Sequence, residues 1–354
     1  MNVAYIESLR EQCSLSQSEL AQAVGVTRQT IAVWEKGERL PSVGQLSSIA
    51  VALGVPLEVF FAVPSSEPQL LFRADKTEVL TPAIKALVLQ RAKDYAEIES
   101  LLGETPTTPP IMPLEEYQPT TVERFASQVR DFLSVENAPL GDVIARLEDR
   151  GLKVLEVQLP NHVSGFSALT PELGAIIVVN MRHPVERRYF TALHELAHLI
   201  CHHKDFAQPS QPSASKPRED IANHLAGAVL LPREVLEREL RSFYNRWLPQ
   251  ALLEDIKARY SVSLRTIIIR AEQLGLISKK QCGQQLGVIK RAYPEAEPVQ
   301  LERQSAHSRL ERLVFQALSL ERITTSRAAE VLGLSLTQIR QKAHLWLADT
   351  GSAL

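Results

Sequence analysis

Apolar positions recur at helical spacing through most of the chain, and strand-like runs are confined to residues 153–179. Ile6, Leu9 and Arg10 open a first helix. A second starts within Ser14–Ala21, where Ser16 is a plausible N-cap and Glu19, three positions on, completes a capping box. Gly25 can stop that helix and supply a turn. Thr27 then caps a third helix that runs through Ile31, and a further helix carries Leu46, Ile49, Ala50 and Leu53 before Gly54-Val55-Pro56. Two short helices joined around a glycine form a helix-turn-helix unit. Residues 64–80 read as connector, and Pro82 to about Leu102 as a helix. Gly103–Thr120 holds Pro106, Pro109, Pro110, Pro113 and Pro119, which excludes a helix interior and predicts an extended, semi-rigid linker.

From Thr121 the pattern predicts helices over Val122–Leu133 and Leu140–Arg150 and a strand over Lys153–Val157. Gly165–Leu169 and Ala175–Val179 form a pair of strands around Thr170-Pro171-Glu172-Leu173-Gly174. The second strand, Ala-Ile-Ile-Val-Val, is strongly β-forming and lacks alternation, which favours a core strand. A hairpin edge is also where proteases hold an extended substrate. Beyond Pro232 the chain is helical, with periodic runs at Leu252–Tyr260, Leu264–Leu274, Ser308–Leu320 and Arg327–Leu332. The joints at Ser261–Arg265 and Gly333–Ile339 resemble helix-turn-helix joints. Each is a candidate second DNA reader, although such pairs are more often packed hairpins. Arg291–Ala306 is polar and predicts a mobile surface loop.

The chemistry concentrates in Thr191–His203, an uninterrupted apolar helix that contains H-E-x-x-H as His194, Glu195 and His198. Residues four apart lie one turn apart on one helix face, so His194 and His198 can offer two imidazole nitrogens to one Zn²⁺. Glu195 lies beside them, within reach of the proton of a water held by the metal. The alternative is two core histidines, but nine histidines in the chain make the pattern rare by chance. His202 continues the row, yet a straight helix carries it about 6 Å past His198, too far to close the same tetrahedron. His202 and His203 are read as helix-ending residues, where cations suit the carbonyl end of the dipole.

A third ligand is sought in the second helical run, Glu219–Pro232, beyond the Pro/Ser-rich stretch Lys204–Arg218. Its buried stripe comprises Ile221, Ala222, Leu225, Ala226, Val229 and Leu230. Glu219 and Asn223 share one face, which offers a carboxylate ligand and an amide behind a ligating histidine. Spacing alone leaves Asp220 as a rival, and an acid near a helix start is also simply favoured by the dipole.

Together, His194–His198, Glu219-x-x-Ala222-Asn223-x-x-Ala226 and Leu230-Leu231-Pro232 resemble the ImmA/IrrE family of zinc metallo-endopeptidases, over roughly 70–278. Leu71-Phe72-Arg73, Gly165-Phe166-Ser167, Ile176–Asn180 and Arg188-Tyr189-Phe190-Thr191 extend the likeness, and Ala197 stands where the family often has Gly. The resemblance implies that Glu219 is the third ligand, that the hairpin lies beside the zinc cleft, and that substrates include helix-turn-helix repressors. Gln17-x-x-Leu20-Ala21, Gly25-Val26-Thr27, Trp34-Glu35-x-Gly37 and Pro41 resemble the XRE-type helix-turn-helix family. That resemblance implies that Thr27, Arg28, Gln29, Thr30 and Val33 face the major groove and that Gln17 holds a phosphate. Arg suits a guanine edge, Gln an adenine, and an aliphatic side chain a thymine methyl.

Size and composition limit the alternatives. The chain has 354 residues, 45% apolar and 23% charged, enough for two or three domains of ordinary composition. No apolar run is long enough to span a membrane, and no secretory signal opens the chain. Cys13, Cys201 and Cys282 show no paired spacing and suit a reducing cytoplasm as small buried fillers. A net charge of −2 gives no global attraction to nucleic acid. Residues 1–62 carry four bases (Arg10, Arg28, Lys36, Arg39) against six acids (Glu7, Glu11, Glu19, Glu35, Glu38, Glu58), 4 − 6 = −2. A protein-docking module is therefore an alternative to DNA, and useful DNA binding is expected from a dimer on two half-sites.

The expected fold is mainly α with a small β-sheet. It comprises a five-helix-type helix-turn-helix domain (1–63), a helical connector and Pro-rich linker (64–120), a gluzincin-like zinc peptidase domain (121–250) and a helical C-terminal region (251–354). The expected function is that of a cytoplasmic DNA-binding regulator whose peptidase holds Zn²⁺ through His194, His198 and Glu219. Asn223 stands behind them and Glu195 is the general base. Tyr189, His202 and His203 are candidate oxyanion donors. The alternatives are a transcription factor with a non-catalytic zinc sensor, and an antitoxin-like module that binds another protein.

Overall fold

The computed structural model describes residues 6–7, 9–10, 15–53, 60, 72–73, 82–105, 107–206, 216–305 and 307–348. The fold is mainly α with one small sheet, and the chain divides into two compact units, residues 1–70 with 76–93 and residues 71–75 with 94–354. Cys13, the predicted helix end at residues 54–56 and most of the 64–80 connector lie outside the described residues.

In the first unit, α1 (Gln17–Val24), α2 (Arg28–Glu35) and α3 (Val43–Leu53) pack around Leu20, Ile31, Trp34, Leu46 and Ile49, all buried. The predicted signals act as drawn. The Ser16 side chain accepts the Glu19 N–H and the Glu19 carboxylate accepts the Ser16 N–H, so two orphan donors of α1 are satisfied. Gly25 ends α1 in the left-handed region at φ 75°, which an L side chain rarely adopts, and Thr27 caps α2 through the Thr30 N–H.

The second unit is built on a four-stranded sheet of order β1-β3-β4-β2. After β1 (Phe72–Arg73) come α4 (Pro82–Leu102), α5 (Pro119–Phe132), α6 (Val143–Asp149), β2 (Lys153–Val157), β3 (Gly165–Thr170) and β4 (Gly174–Asn180). β3 and β4 form the predicted hairpin, with Gly165 opposite Val179 and Thr170 opposite Gly174, and β2 runs parallel to β4. β4 is buried along its whole length and sits between two strands, so it is a core strand and not a substrate edge. That is what its unbroken apolar run demands. β3 in turn pairs through Ala168 and Ser167 with Phe72 and Arg73, two of the residues that carry the family likeness.

Across β3 and β4 lies α7 (Val185–Cys201), which begins after Pro184 and is buried over almost all of its second half. α8 (Lys216–Leu230) packs on α7 and on α5, with Ile221, Ala222, Leu225 and Ala226 fully or nearly buried. Gly165 is where strand and helix meet. A Cβ there would lie 2.4 Å from the Val178 carbonyl oxygen and 2.6 Å from the Thr191 methyl. The carbonyl belongs to the sheet and cannot yield. Gly165→Ala is expected to lower stability by about 1–3 kcal/mol through overpacking, read as a fall in the denaturation midpoint.

The Pro-rich stretch is extended as predicted, but it does not hang free. The Met112 and Leu114 N–H groups donate to the Ile200 and Cys201 carbonyls at 3.0 and 3.3 Å, which satisfies two orphan acceptors at the end of α7. Arg291–Ala306, predicted as a mobile loop, is also tied down at its described residues. Glu297 binds the Lys257 ammonium and the Leu264 and Arg265 N–H groups, and Arg303 pairs with Asp142 and Glu156. Its polar sequence hid the fact that its charges find buried partners.

The chain continues through α9 (Arg233–Glu239), α10 (Gln250–Tyr260), α11 (Leu264–Gln273), α12 (Lys279–Ala292), α13 (Arg309–Ser319), α14 (Thr325–Leu332) and α15 (Leu336–Ala348). α12 was not predicted individually. It has two glycines and buries only Cys282 and Gln285, so its apolar stripe is faint, and a Ser278–Gln281 capping box starts it. Cys201 and Cys282 are buried and unbridged, and burial pushes the Cys201 thiol up to about 12. No described helix is long and apolar enough to cross a membrane.

Candidate functional site

α7 places His194 and His198 one turn apart on its face toward α8, and α8 presents Glu219 to both. His194 Nε2 and His198 Nε2 lie 3.0 Å apart. Glu219 brings Oε2 within 3.3 Å of the first and Oε1 within 3.5 Å of the second. A tetrahedral ion bound at about 2.0–2.1 Å by such donors has ligand–ligand edges of about 3.3 Å. The three side chains thus already sit at the spacing of three corners of that tetrahedron, with neutral nitrogens and one carboxylate as the donor set. No other group of three His, Cys, Asp or Glu among the described residues could hold a metal. Asp220, the rival on spacing, is not part of the group.

The far side of each imidazole is also held. His194 Nδ1 lies 3.1 Å from Asn223 Oδ1, so Nδ1–H donates to the amide and the Nε2 lone pair faces the cluster. His198 Nδ1 lies 3.0 Å from His202 Nδ1. His202 is therefore behind His198, on the side away from His194 and Glu219, and is not one of the three grouped donors. Glu195 is 4% exposed, and the Ser167 hydroxyl donates to its Oε2 at 2.7 Å.

Ser167 is a contributor that residue spacing could not assign. Its signals were its place in the Gly165-Phe166-Ser167 likeness and a hydroxyl in a largely apolar strand. Tyr189, a candidate oxyanion donor, is spent elsewhere. It is buried, and burial together with its hydrogen bond to Asp142 raises its phenol well above the usual range. Residues five apart on a helix point about 140° apart, which is why Tyr189 does not share the face of His194. His203 opens a short 3₁₀ turn after α7 and is half-buried.

Behind α8 runs a second polar chain. The Tyr117 hydroxyl lies 2.8 Å from His224 Nδ1, His224 Nε2 lies 2.7 Å from Glu123, and Arg270 pairs with the same carboxylate at 2.8 Å. Burial pushes Glu123 up, but the hydrogen bonds from His224 and Arg270 and their charge outweigh it and hold the carboxyl at about 2. The folded pKa is below the unfolded one, so this contribution is present above about pH 4.5 and is lost as pH falls towards 2. Glu123→Gln is expected to destabilise the protein by about 3 kcal/mol at neutral pH, because it leaves the buried Arg270 charge uncompensated. Paired urea melts should show the gap to wild type narrowing as pH is lowered from 5 to about 3.

On the first unit, Thr27, Arg28 and Gln29 are exposed at the start of α2, and Thr30 and Val33 are half-exposed one turn on. Thr27, Gln29, Thr30 and Val33 line a groove with Arg39 and Ser42, and Arg28 is not part of that lining. Thr27 Oγ1 is engaged as the cap of α2. Gln17 is half-buried. Its Nε2 donates to Glu35 at 2.7 Å while its carbonyl accepts from Arg28 at 3.4 Å. Glu35 is held in turn by Arg10 at 2.6 Å. A buried ion pair therefore orients Gln17, which orients Arg28.

These two bodies define the class: a helix-turn-helix regulator that also carries a metallopeptidase-type domain. Residues 6–60 match the helix-turn-helix family model, and residues 147–272 match the IrrE N-terminal-like domain of the M78 peptidases. An uncharacterized HTH-type transcriptional regulator of Methanothermobacter thermautotrophicus is 51% identical over 49 residues, 14% of this chain and 71% of that one. A second, from Bacillus subtilis, is 39% identical over 56 residues, 16% of this chain and 85% of the other. The chain belongs to the HTH-type transcriptional regulators and adds to that DNA-binding unit an IrrE-like domain. Among solved structures, a Mycobacterium tuberculosis transcriptional regulator aligns with a TM-score of 0.32 at 16% identity. The alignment covers 51% of each chain, so this chain spans about half the length of that protein.

Proposed function

We propose that the IrrE-like domain is a zinc-dependent endopeptidase that acts on a repressor-type helix-turn-helix protein, and that the N-terminal unit brings it to operator DNA as a dimer. The observation that carries this reading is the triangle of His194, His198 and Glu219 at tetrahedral ligand spacing. These three residues would hold the ion. Zinc bound there supplies Lewis acidity, which polarises a peptide carbonyl and acidifies water. Glu195 takes the proton of the attacking water and returns it to the leaving amine. The Ser167 hydroxyl fixes the orientation of that carboxylate, and Asn223 keeps His194 in the tautomer whose Nε2 lone pair faces the cluster. An intact Glu195 favours catalysis over a purely structural metal, which needs no general base.

The test is capture. Full-length Glu195→Gln is used to pull down partners from cells, and captured proteins are then offered to wild type and to Glu195→Gln. A captured helix-turn-helix protein cut by wild type alone supports the proposal. Intact partners with both enzymes reject it. For the DNA role, Arg28→Ala or Gln29→Ala is expected to weaken specific binding by about 1–3 kcal/mol, the worth of one bidentate base contact. Equal affinity for all sequences in wild type and variants at low salt would reject that assignment.

A further inference from the structure

The helix-turn-helix of the first unit has a counterpart near the other end of the chain, matched position by position at an offset of 308 residues (25 to 333, 27 to 335, 31 to 339). Ser16 caps α1 through the Glu19 N–H at 3.2 Å, and Thr324 caps α14 through the Arg327 N–H at 3.1 Å. Both helices are eight residues long. Both end on a left-handed glycine, Gly25 at φ 75° and Gly333 at φ 64°. The Val26 N–H donates to the Ala21 carbonyl at 2.9 Å, and the Leu334 N–H donates to the Ala329 carbonyl at 2.9 Å. Thr27 and Ser335 then cap the following helices, each through an N–H at 3.2 Å. Leu20 and Ala328 are fully buried under the joints, as are Ile31 and Ile339.

We propose that α15 is a second DNA-reading helix and that the chain binds duplex DNA through both ends. The positions equivalent to Arg28, Gln29, Thr30 and Val33 are Leu336, Thr337, Gln338 and Gln341, and all four are exposed. The Gln341 amide suits an adenine edge and the Leu336 side chain a thymine methyl, while Gln338 Oε1 accepts the Ser335 N–H at 2.9 Å in the cap of α15. α15 carries Arg340, Lys342 and His344 and no acid. Residues 307–348 hold six bases (Arg309, Arg312, Arg322, Arg327, Arg340, Lys342) against three acids (Glu311, Glu321, Glu330), 6 − 3 = +3, whereas residues 1–62 sum to −2. Arg309, Arg312 and Arg327 are paired with acids outside this segment and Lys342 with Glu311, so Arg340 is the cation that α15 presents for a phosphate contact.

The same turn elsewhere in the chain shows what a packed hairpin looks like. α10 and α11 meet at a left-handed Ser261, and Ser263 caps α11 through the Thr266 N–H at 3.0 Å. There the reader positions are taken. Leu264 and Thr266 are buried, and Glu297 accepts the Leu264 and Arg265 N–H groups at 2.8 and 3.3 Å. α15 has no such occupant among the described residues. The bases on the other helices of its bundle are used to dock it: Arg309 pairs with Glu99, Arg312 with Asp149, and Arg327 with Asp94. A bundle anchored on one side leaves α15 as its presented face.

The experiment is selection of duplexes from a randomised pool by the full chain at low salt, followed by titration of the enriched sequences. Wild type is expected to enrich two distinct sequence elements. Leu336→Ala/Gln341→Ala, at exposed sites, is expected to keep the wild-type melting temperature and to bind one element at least about ten-fold more weakly. Arg28→Ala/Gln29→Ala should affect only the other element. Arg340→Ala should lower affinity for all duplexes and reduce the salt slope by about 1. A single element that responds only to the Arg28 and Gln29 changes overturns the second reader and leaves the first in place. Enrichment of no element overturns both. Leu336→Ala/Gln341→Ala that alters oligomeric state by sedimentation while both elements stay intact assigns the face to a protein partner, and also overturns the proposal.

Discussion

Glu195→Gln is expected to fold, to retain stoichiometric zinc and to cleave its substrate at least about 10²-fold more slowly than wild type, the scale of general-base loss. The expectation rests on where the residue stands. Glu195 is outside the His194, His198 and Glu219 triangle, so its loss as a base leaves the donor set complete. Glutamine keeps the length of the side chain and can still accept the Ser167 hydroxyl, which donates at 2.7 Å in the wild type. Folding and metal content therefore act as internal controls. Elemental analysis gives the zinc, and mass spectrometry of a captured substrate gives the fragments. Ser167→Ala should give a smaller loss, because it frees the carboxylate without removing it. Equal fragment yields from wild type and Glu195→Gln would remove the general base from the account. Normal regulation by the variant, with no fragment in either strain, would leave a transcription factor with a non-catalytic zinc sensor.

His198→Ala is expected to abolish zinc binding, from about one ion per chain to none, because two donors alone leave a structural ion site open. His198 is 1% exposed, and it stands between His194 and His202, so no neighbouring surface residue can replace it. Chelation should lower the melting temperature of wild type, because an ion that binds only the folded chain stabilises it by about 2.7 kcal/mol at one hundred times its dissociation constant. The same chelator should not move His198→Ala. Asn223→Ala is expected to weaken zinc binding by about 10–100-fold without abolishing it, since it removes the hydrogen bond that sets the His194 tautomer. Unchanged stoichiometric zinc in His198→Ala would dismiss the site.

Local signals account for much of what the chain does. Gly25 with Ser16 and Thr27 is enough to define the first helix-turn-helix, because capping and left-handed turns are settled within a few residues. Lys153–Val157 is a strand at the predicted bounds, and the Gly165–Thr170 and Gly174–Asn180 hairpin was legible to within one residue at each end. His194, Glu195 and His198 were legible because a motif spaced at one helical turn carries its own geometry. The pairing of His194 and His198 with Glu219 was of another kind. Periodicity could not bring α8 onto α7; spacing favoured Glu219 with Asp220 as a rival, and the family likeness strengthened that choice.

Sequence by itself determined most of the elements, the caps at Ser16 and Thr27, the hairpin and the one-turn spacing of His194 and His198, all of which depend on interactions within a turn or two of the chain. The tertiary structure alone decided what each polar side chain was for. It turned Tyr189 to Asp142 and away from the cleft, put His202 behind His198, and aimed Ser167 at Glu195. It also converted the Pro-rich linker into a cap on α7 and the polar 291–306 stretch into a strap anchored by Glu297 and Arg303. The physical reason is common to all of these. A charged or hydroxyl group in the sequence reads as solvent-facing, but once buried it must find a partner, and that partner lies on an element remote in sequence whose approach is set by how the apolar faces pack.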